Sequence, residues 1–157
     1  MDEKLKGMRG GKKLSGDDCW PVMIEFLLSQ KAWWVGICGE FDLTPMQGHA
    51  IRLLDPDRPL AMSSLAAEMA CDASNVTGIV DKLESRGLIA RQGSEGDRRI
   101  KMLVVTDKGR QLRDQLWARA MEPPAAVTAL SDEARRRVAE VLRAVVDERN
   151  AETSERP

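Results

Sequence analysis

Residues 73–105 carry the clearest pattern of the chain and read ASNVTGIVDKLESRGLIARQGSEGDRRIKMLVV. Four apolar residues within them recur at positions i, i+3, i+4 and i+7: Val76, Ile79, Val80 and Leu83. This spacing predicts a helix with one buried stripe, which Arg86-Gly87 would end with a glycine stop. Two strand-like runs follow, separated by the polar, glycine-bearing loop 92–97, so a β-hairpin is expected directly after the helix.

The residues upstream predict two further helices. The sequence LTPMQ at 43–47 is a strong helix start, with threonine as N-cap, proline at the first helical position and glutamine three residues after the cap. That helix ends at Asp55-Pro56, and a shorter helix capped by Ser63 or Ser64 follows. A turn of a few residues separates this short helix from the next, which is the spacing of a helix-turn-helix, and a hairpin directly after it predicts a winged helix.

Long helices are predicted on both sides of this region. Residues 17–41 carry apolar side chains on most faces of one helix, more than a small domain can cover, so a second chain is expected to cover them. Residues 106–109 cap another helix, which Pro123-Pro124 interrupts. The last helix begins with a capping signal at Ser131 and ends near Asn150.

Composition narrows the class of protein. The chain has 157 residues, of which 43% are hydrophobic and 31% charged, as in an ordinary globular domain. Its formal charge of −1 gives no bulk sign of a polyanionic partner, so any basic surface is local. No apolar run reaches the roughly 18 residues of a membrane span and no signal peptide is evident, so a cytoplasmic protein is expected. Three scattered cysteines and one histidine predict no disulfide framework, no metal site and no cofactor.

The helix face opposite the buried stripe carries short polar side chains. Its members and their flanking neighbours are Ser74, Asn75, Thr77, Gly78, Asp81 and Lys82. Such residues suit close contact with base edges in a DNA major groove, where a wrong base costs about 1–3 kcal/mol. Considered alone, the helix favours the plainer alternative of a solvated face, because outward faces of helices are usually polar.

The hairpin adds local positive charge. Between residues 86 and 101 lie five basic residues against the two acids Glu95 and Asp97: Arg86, Arg91, Arg98, Arg99 and Lys101. A basic hairpin tip can place an arginine in the minor groove or on phosphate, with strong salt dependence. The alternative is a charged turn with an internal Asp–Arg pair. With a helix-turn-helix directly upstream, DNA contact is favoured.

From Leu43 to Gly109 the chain resembles the MarR family of winged-helix transcription regulators. The matching motifs are L-T-P-x-Q, S-L-A-x-x-M, N-V-T-x-I-V-D-K-L-E-x-x-G-L-I-x-R and D-R-R-I-K-x-L-V-V-T-D-K-G. The last motif is the most specific, because Asp97, Arg99, Thr106 and Gly109 meet the family pattern of D-x-R, a short strand and T-x-x-G.

The resemblance implies a homodimer that binds a pseudopalindromic operator and acts as a repressor. Its recognition helix, residues 74–82, would lie in the major groove with the six polar residues named above facing the bases. Arg99 would enter the minor groove with Asp97 orienting it, Arg98 would contact phosphate, and Lys101 belongs to the same basic wing. Family members often have arginine where this chain has Gly78, so the operator sequence does not follow from family habit.

The expected fold class is mainly α, a winged helix-turn-helix of three core helices and a β-hairpin wing, with long terminal dimerisation helices. The expected organisation is a flexible basic arm (1–16), one domain (17–150) holding a DNA-binding lobe (44–109) between dimerisation helices (17–41 and 110–150), and a disordered tail (151–157).

Members of this family often respond to small aromatic acids or to oxidants. A ligand pocket would lie between the dimer helices and the lobe, formed by Trp20, Trp33, Trp34, Phe41, Met46 and His49; ordinary core and dimer packing is the favoured alternative for them. Cys19 lies near the start of the first helix, at a location that resembles that of the sensing cysteine in the family's organic-hydroperoxide branch, and a helix N-terminus favours a thiolate. An inert thiol is favoured for Cys19, because that branch surrounds its sensing cysteine with tyrosines and this chain has no tyrosine. Cys38 and Cys71 are expected to be small buried hydrophobes.

Three functions therefore stay open at this stage. The favoured one is a sequence-specific DNA-binding regulator, released by a small aromatic ligand. The alternatives are a winged-helix module that binds protein without binding DNA, and an oxidant-sensing regulator that uses Cys19. An enzyme is not expected, because the common nucleotide-binding, hydrolase and metalloprotease motifs are missing and one histidine leaves little for acid–base chemistry.

Overall fold

The structure is a computed structural model that describes residues 15–93 and 101–154. A short 3-10 turn over Gly16–Asp18 precedes the following helices and strands: α1 (Cys19–Glu40), α2 (Pro45–Leu53), β1 (Leu60–Ala61), α3 (Met62–Glu68), α4 (Ala73–Ser85), β2 (Ile89–Gly93), β3 (Lys101–Val105), α5 (Asp107–Met121), α6 (Ala125–Thr128) and α7 (Asp132–Ser154). The described residues up to Ala120 form one compact unit, and those from Met121 form a second.

Helix α2 starts as its sequence predicts. The Thr44 hydroxyl oxygen accepts a hydrogen bond from the Gln47 amide at 3.2 Å, and the Gln47 side chain accepts one from the Thr44 amide at 2.9 Å. Pro45 stands at the first helical position, where its missing amide proton costs nothing. The predicted capping box is therefore confirmed.

Helix α4 buries the predicted stripe and ends at the predicted glycine. Val76, Val80 and Leu83 are fully buried. Gly87 takes a left-handed φ of +68°, and the Leu88 amide donates to the Leu83 carbonyl at 3.0 Å, which closes the helix end. This turn leads the chain directly into β2.

The strands form one antiparallel sheet in the order β1-β3-β2. Ile89 pairs with Val105 at the base of the β2–β3 hairpin, and Leu60 pairs with Leu103 on the other edge of β3. The hairpin confirms the predicted wing, whereas β1 was not predicted because two residues are too few to show a period. The link between β2 and β3, residues 94–100, lies outside the described residues.

The core of the first unit lies between α2, α3, α4, α5, the sheet and the last turns of α1. Its largest fully buried side chains are Ile37, Ile51, Leu54, Leu65, Leu83, Leu88, Ile89, Leu103 and Leu116. Most of α1 lies outside this core, because Ile37 and Cys38 are its buried residues.

The T-x-x-G motif at the start of α5 joins that helix to the end of α4 through hydrogen bonds and close packing. The Thr106 hydroxyl accepts from the Gly109 amide at 3.0 Å and donates to the Gly87 carbonyl at 2.7 Å. A Cβ at Gly109 would lie 1.9 Å from the Leu88 carbonyl oxygen, so this close approach requires glycine. The predicted cap is confirmed.

Other boundaries differ from expectation. Helix α3 begins at Met62 with Ala61 at the N-cap and no side-chain cap, so the prediction of a Ser63 or Ser64 cap is wrong: the chain enters the helix directly from β1. In the second unit, Ser131 accepts from the Ala134 amide at 3.2 Å and caps α7 as predicted. Helix α7 then runs to Ser154, past the end expected near Asn150 and into the segment expected to be a disordered tail.

Candidate nucleic-acid interface

The outward face of α4 is an exposed polar surface. Six residues predicted for groove contact are exposed: Ser74, Asn75, Thr77, Gly78, Asp81 and Lys82. A Cβ at Gly78 would meet no described atom within 4 Å, so the middle of this face is open. The Thr77 hydroxyl donates to the Ala73 carbonyl at 2.9 Å, which leaves its oxygen free to accept a further hydrogen bond.

Asp81 is engaged within the lobe. The Arg91 Nη2 donates to Asp81 Oδ1 at 2.6 Å, its Nη1 bonds the Glu84 carboxylate, and its backbone amide donates to Glu84 Oε1 at 3.0 Å. Burial lowers the pKa of the Arg91 guanidinium, but its hydrogen bond to Asp81 and the charge of Glu84 outweigh burial and raise it. One arginine on β2 therefore fastens two carboxylates of α4 to the base of the wing.

Arg86 is likewise turned inward from the basic region predicted for the wing. Its guanidinium donates to the Asp42 carbonyl at 2.6 Å and to the Phe41 carbonyl at 3.0 Å. Two of the five basic residues counted toward DNA contact thus bind groups inside the lobe. The sequence pattern reveals neither role. The partners of Arg86 lie more than forty positions away in the chain, and those of Arg91 lie on a different element, the helix that packs beside β2.

The remaining wing residues are only partly described. Lys101 is exposed at the start of β3, opposite Gly93 on β2. Asp97, Arg98 and Arg99, which the sequence predicts to orient and contact DNA, lie outside the described residues.

The six residues predicted to form a ligand pocket do not all come together. Trp20 is 63% exposed and lies fourteen positions from Trp34 on the same helix, which separates them by about 21 Å along its axis. Met46 is exposed at the start of α2, and Trp33 packs beside Trp34 with tilted rings 6.4 Å apart. Of the six, Trp34 alone lines a cavity of this lobe.

That cavity lies between α1, α2 and α5 and has a volume of about 270 Å³. Its lining residues are Trp34, Arg52, Arg113, Leu116 and Trp117. The Arg52 guanidinium lies 6.0 Å from the centre of the Trp117 ring, and the buried Nε of Arg113 has no hydrogen-bond partner among the described residues. The cavity therefore combines two aromatic rings and two cations.

His49 lies on α2, three positions before Arg52, which lines this cavity. Its Nδ1 is 3.5 Å from Nη2 of Arg52. Burial and then the charge of Arg52 lower the pKa of the His49 imidazole below its ordinary value of 6.5. The ring is therefore neutral near pH 7 and contributes no charge to the cavity.

The thiols differ in their surroundings. Cys38 is fully buried, as predicted, and burial raises the pKa of its thiol. Cys71 is only half-buried, because it lies in the turn between α3 and α4. Cys19 is exposed at the start of α1, with its sulfur 3.9 Å from that of Met23. Within the described chain, no three side chains are grouped as metal ligands, and no helix is both long and apolar enough to cross a membrane.

A helical core with a helix-turn-helix and an attached β-hairpin defines a winged helix-turn-helix protein. Residues 43–101 match the model of the MarR family. It is 28% identical over 95 residues to the Bacillus subtilis protein named uncharacterized HTH-type transcriptional regulator YfiV, a match covering 60% of this chain and 59% of that protein. The chain thus spans about three fifths of the length of this curated relative.

Solved structures share the fold over most of the chain. A mutant of MarR from E. coli superposes with a TM-score of 0.75 at 14% identity, covering 87% of this chain and 99% of that one. A mutant of MepR from S. aureus, bound to an oligodeoxyribonucleotide, gives a TM-score of 0.59 at 21% identity, covering 87% and 99%. At these identities the likeness establishes the winged-helix fold, which confirms the predicted fold class.

Proposed function

We propose that this chain is a DNA-binding transcription regulator, a repressor that acts as a homodimer on a pseudopalindromic operator. The observation that carries the proposal is the exposed polar face of α4, which no described part of the chain covers at Gly78. The names of its curated relatives as HTH-type transcriptional regulators and the DNA-bound state of the MepR mutant support the same conclusion.

Helix α4 would act as the recognition helix in the major groove. Ser74, Asn75 and Thr77 offer short hydrogen-bonding groups to base edges near its N-terminus, and Gly78 lets the helix backbone approach the groove floor. Lys82 and Lys101 would contact phosphate, as would Arg98, and Arg99 with Asp97 would serve the minor groove. The bonds from Arg91 give Asp81 the role of holding α4 to the wing.

Uncovered apolar side chains support a homodimer. Helix α7 exposes a stripe at helical spacing: Val138, Val141, Leu142, Val145 and Val146. Helix α1 exposes a second set: Trp20, Val22, Phe26, Leu27, Leu28 and Val35. Apolar surface of this extent on two long helices is typical of a subunit interface, so a second copy would cover it.

The test is fluorescence anisotropy with the DNA upstream of the chain's own gene and a scrambled duplex of the same length. We expect tight binding to the first alone, with an affinity that falls steeply as salt rises. Asn75→Ala should weaken operator binding roughly 5- to 150-fold, the equivalent of about 1–3 kcal/mol. Ser63→Ala, an equally exposed change on α3, serves as the control. Equal affinity for both duplexes would refute sequence-specific regulation.

The cavity between α1, α2 and α5 is the favoured effector site. An aromatic acid fits its chemistry, because Trp34 and Trp117 offer ring faces and Arg52 and Arg113 offer donors to a carboxylate. A dimer must hold its recognition helices about 34–36 Å apart to enter successive major grooves. A ligand can bind more tightly to a dimer whose recognition helices are spaced differently. It would then lower operator affinity by the difference between its binding free energies for the two conformations.

A comparison of benzoate with its uncharged analogue benzamide separates the contribution of the carboxylate charge from that of the aromatic ring. We expect benzoate to raise the melting temperature and release operator DNA, with benzamide much weaker. Arg113→Met should remove the benzoate effect, whereas Arg110→Met, which removes a neighbouring arginine outside the cavity, should keep it. Stabilisation by benzoate without release of DNA would indicate a passive pocket.

A further inference from the structure

Arg86 stands at the C-cap of α4 and reaches across to the end of α1. One guanidinium nitrogen donates to the Asp42 carbonyl at 2.6 Å and the other to the Phe41 carbonyl at 3.0 Å. These partners precede it by 44 and 45 positions. The side chain therefore joins two helices that are distant in sequence.

The two acceptors lie where α1 turns into α2. Phe41 is the C-cap of α1, and Asp42 follows with a left-handed φ of +54°. Carbonyls at a helix C-terminus lack partners within the helix and carry partial negative charge, so a cation there is favoured. The planar fork of arginine can bond two such carbonyls at once, which a lysine ammonium cannot match in geometry.

Residues of α5 form hydrogen bonds on both sides of this contact. The Lys108 ammonium at the start of α5 donates to the Arg86 carbonyl at 2.8 Å. Glu40, the last residue of α1, accepts two hydrogen bonds from Arg119 at 2.9 and 3.0 Å. The end of α1 is thus held by α4 on one side and by α5 on the other.

We propose that Arg86 is a positioning residue that sets how α4 is presented to DNA by tying it to α1. The proposal rests on the proposed function, because it assumes that α4 enters a groove and that α1 lies in the subunit interface. If α1 is fixed to the partner subunit, then a direct bond from α4 to α1 carries the spacing between the two recognition helices. Loss of this bond would let each helix shift against the dimer axis.

The test measures how operator affinity depends on the spacing between half-sites. A residue that only stabilises the fold would not change this dependence. Anisotropy is measured with the native operator and with duplexes in which one or two base pairs are inserted between the half-sites. Wild type should lose affinity steeply on insertion. Arg86→Gln should bind the native operator at least 10-fold more weakly and lose most of its preference for native spacing, and Arg86→Lys should fall between.

Arg110→Gln is the matched control. Arg110 also donates to a backbone carbonyl, that of Pro56 at 3.2 Å, and to Asp57 at 2.8 Å, but it ties α5 to the loop before β1. This variant should keep the wild-type spacing preference. If R86Q prefers the native half-site spacing as strongly as wild type does, the proposal is overturned. If R86Q does not fold, the same result with R86K overturns it. Failure of wild type itself to bind any operator would instead refute the proposed function on which this one depends.

Discussion

Gly109 occupies a position where backbone atoms leave no room for a side chain. A Cβ there would lie 1.9 Å from the Leu88 carbonyl oxygen and 2.9 Å from its carbon. Neither atom can swing aside, so we expect Gly109→Ala to lower the free energy of unfolding by about 1–3 kcal/mol, the usual cost of overpacking. Urea denaturation followed by circular dichroism measures this change. An unfolding midpoint equal to wild type would show that the α4–α5 junction can open without cost.

Gly78 is the opposite case on the surface of α4. A Cβ there would meet no described atom within 4 Å, and the residue lies inside a helix, where glycine costs conformational entropy. We expect Gly78→Ala to raise the free energy of unfolding by roughly 0.5–1 kcal/mol. The same denaturation experiment measures it. A destabilised variant would mean that this face is packed against something the single chain does not show.

His49 makes stability depend on pH in a defined direction. Its pKa is lowered in the folded chain from 6.5, by burial first and by Arg52 second, so the unfolded chain binds the proton more tightly. The contribution of the neutral His49 ring to the free energy of unfolding is therefore fully present above pH 6.5. It is lost as pH falls through the lowered pKa of the folded chain. We expect wild type to lose more stability between about pH 7.5 and 5.5 than His49→Gln does. Parallel urea curves for both proteins at both pH values check this, and equal losses would contradict it.

At the scale of elements, Arg91 links α4 to β2. Its side chain is 22% exposed and bonds Asp81 and Glu84, which lie three positions apart on α4. Asp81 on the other side of this pair is 56% exposed, so water weakens the attraction, and we expect a coupling of about 0.5–1 kcal/mol between Arg91 and Asp81. A double-mutant cycle of Arg91→Met and Asp81→Asn isolates this energy. Additive effects of the two changes would show that the pair contributes nothing to holding the wing.

Local signals account for the elements that the sequence predicts. The capping box of Thr44, the glycine stop at Gly87 and the stripe around Val80 each act within one or two turns of helix, so a single sequence is sufficient to show them. Strand β1 and the N-cap at Ala61 instead depend on pairing with β3, across some forty positions. Tertiary pairing of this kind leaves no local period.

The candidate site divides in the same way. The polar face of α4 follows from helix geometry, and all six residues predicted for it are exposed. The uses of Arg86 and Arg91 depend on which carbonyls and carboxylates fold beside them, which composition cannot reveal. The cavity shows the same limit: helical spacing groups Trp20 with Trp34, but the helix itself holds them about 21 Å apart, and the residues that line the cavity with Trp34 come from α2 and α5.

At the scale of the whole molecule, the apolar stripe of α7 is the feature that one chain leaves unexplained. Val141 is 57% exposed and Leu142 42% exposed, and the stripe repeats at i, i+3, i+4, i+7 and i+8. We expect Leu142→Glu to abolish the proposed dimer, because a carboxylate buried between apolar faces has no partner and costs several kcal/mol. Light scattering after size exclusion measures the mass, and anisotropy measures operator binding.

Glu140→Lys is the matched control, because residue 140 lies about 160° around α7 from residue 142 and also changes charge. It should remain dimeric and bind the operator as wild type does. A monomeric L142E that has lost operator binding but melts with its helices intact would show that two copies are needed to reach both half-sites. A dimeric L142E would place the subunit interface away from α7 and leave the exposed face of α1 to form it.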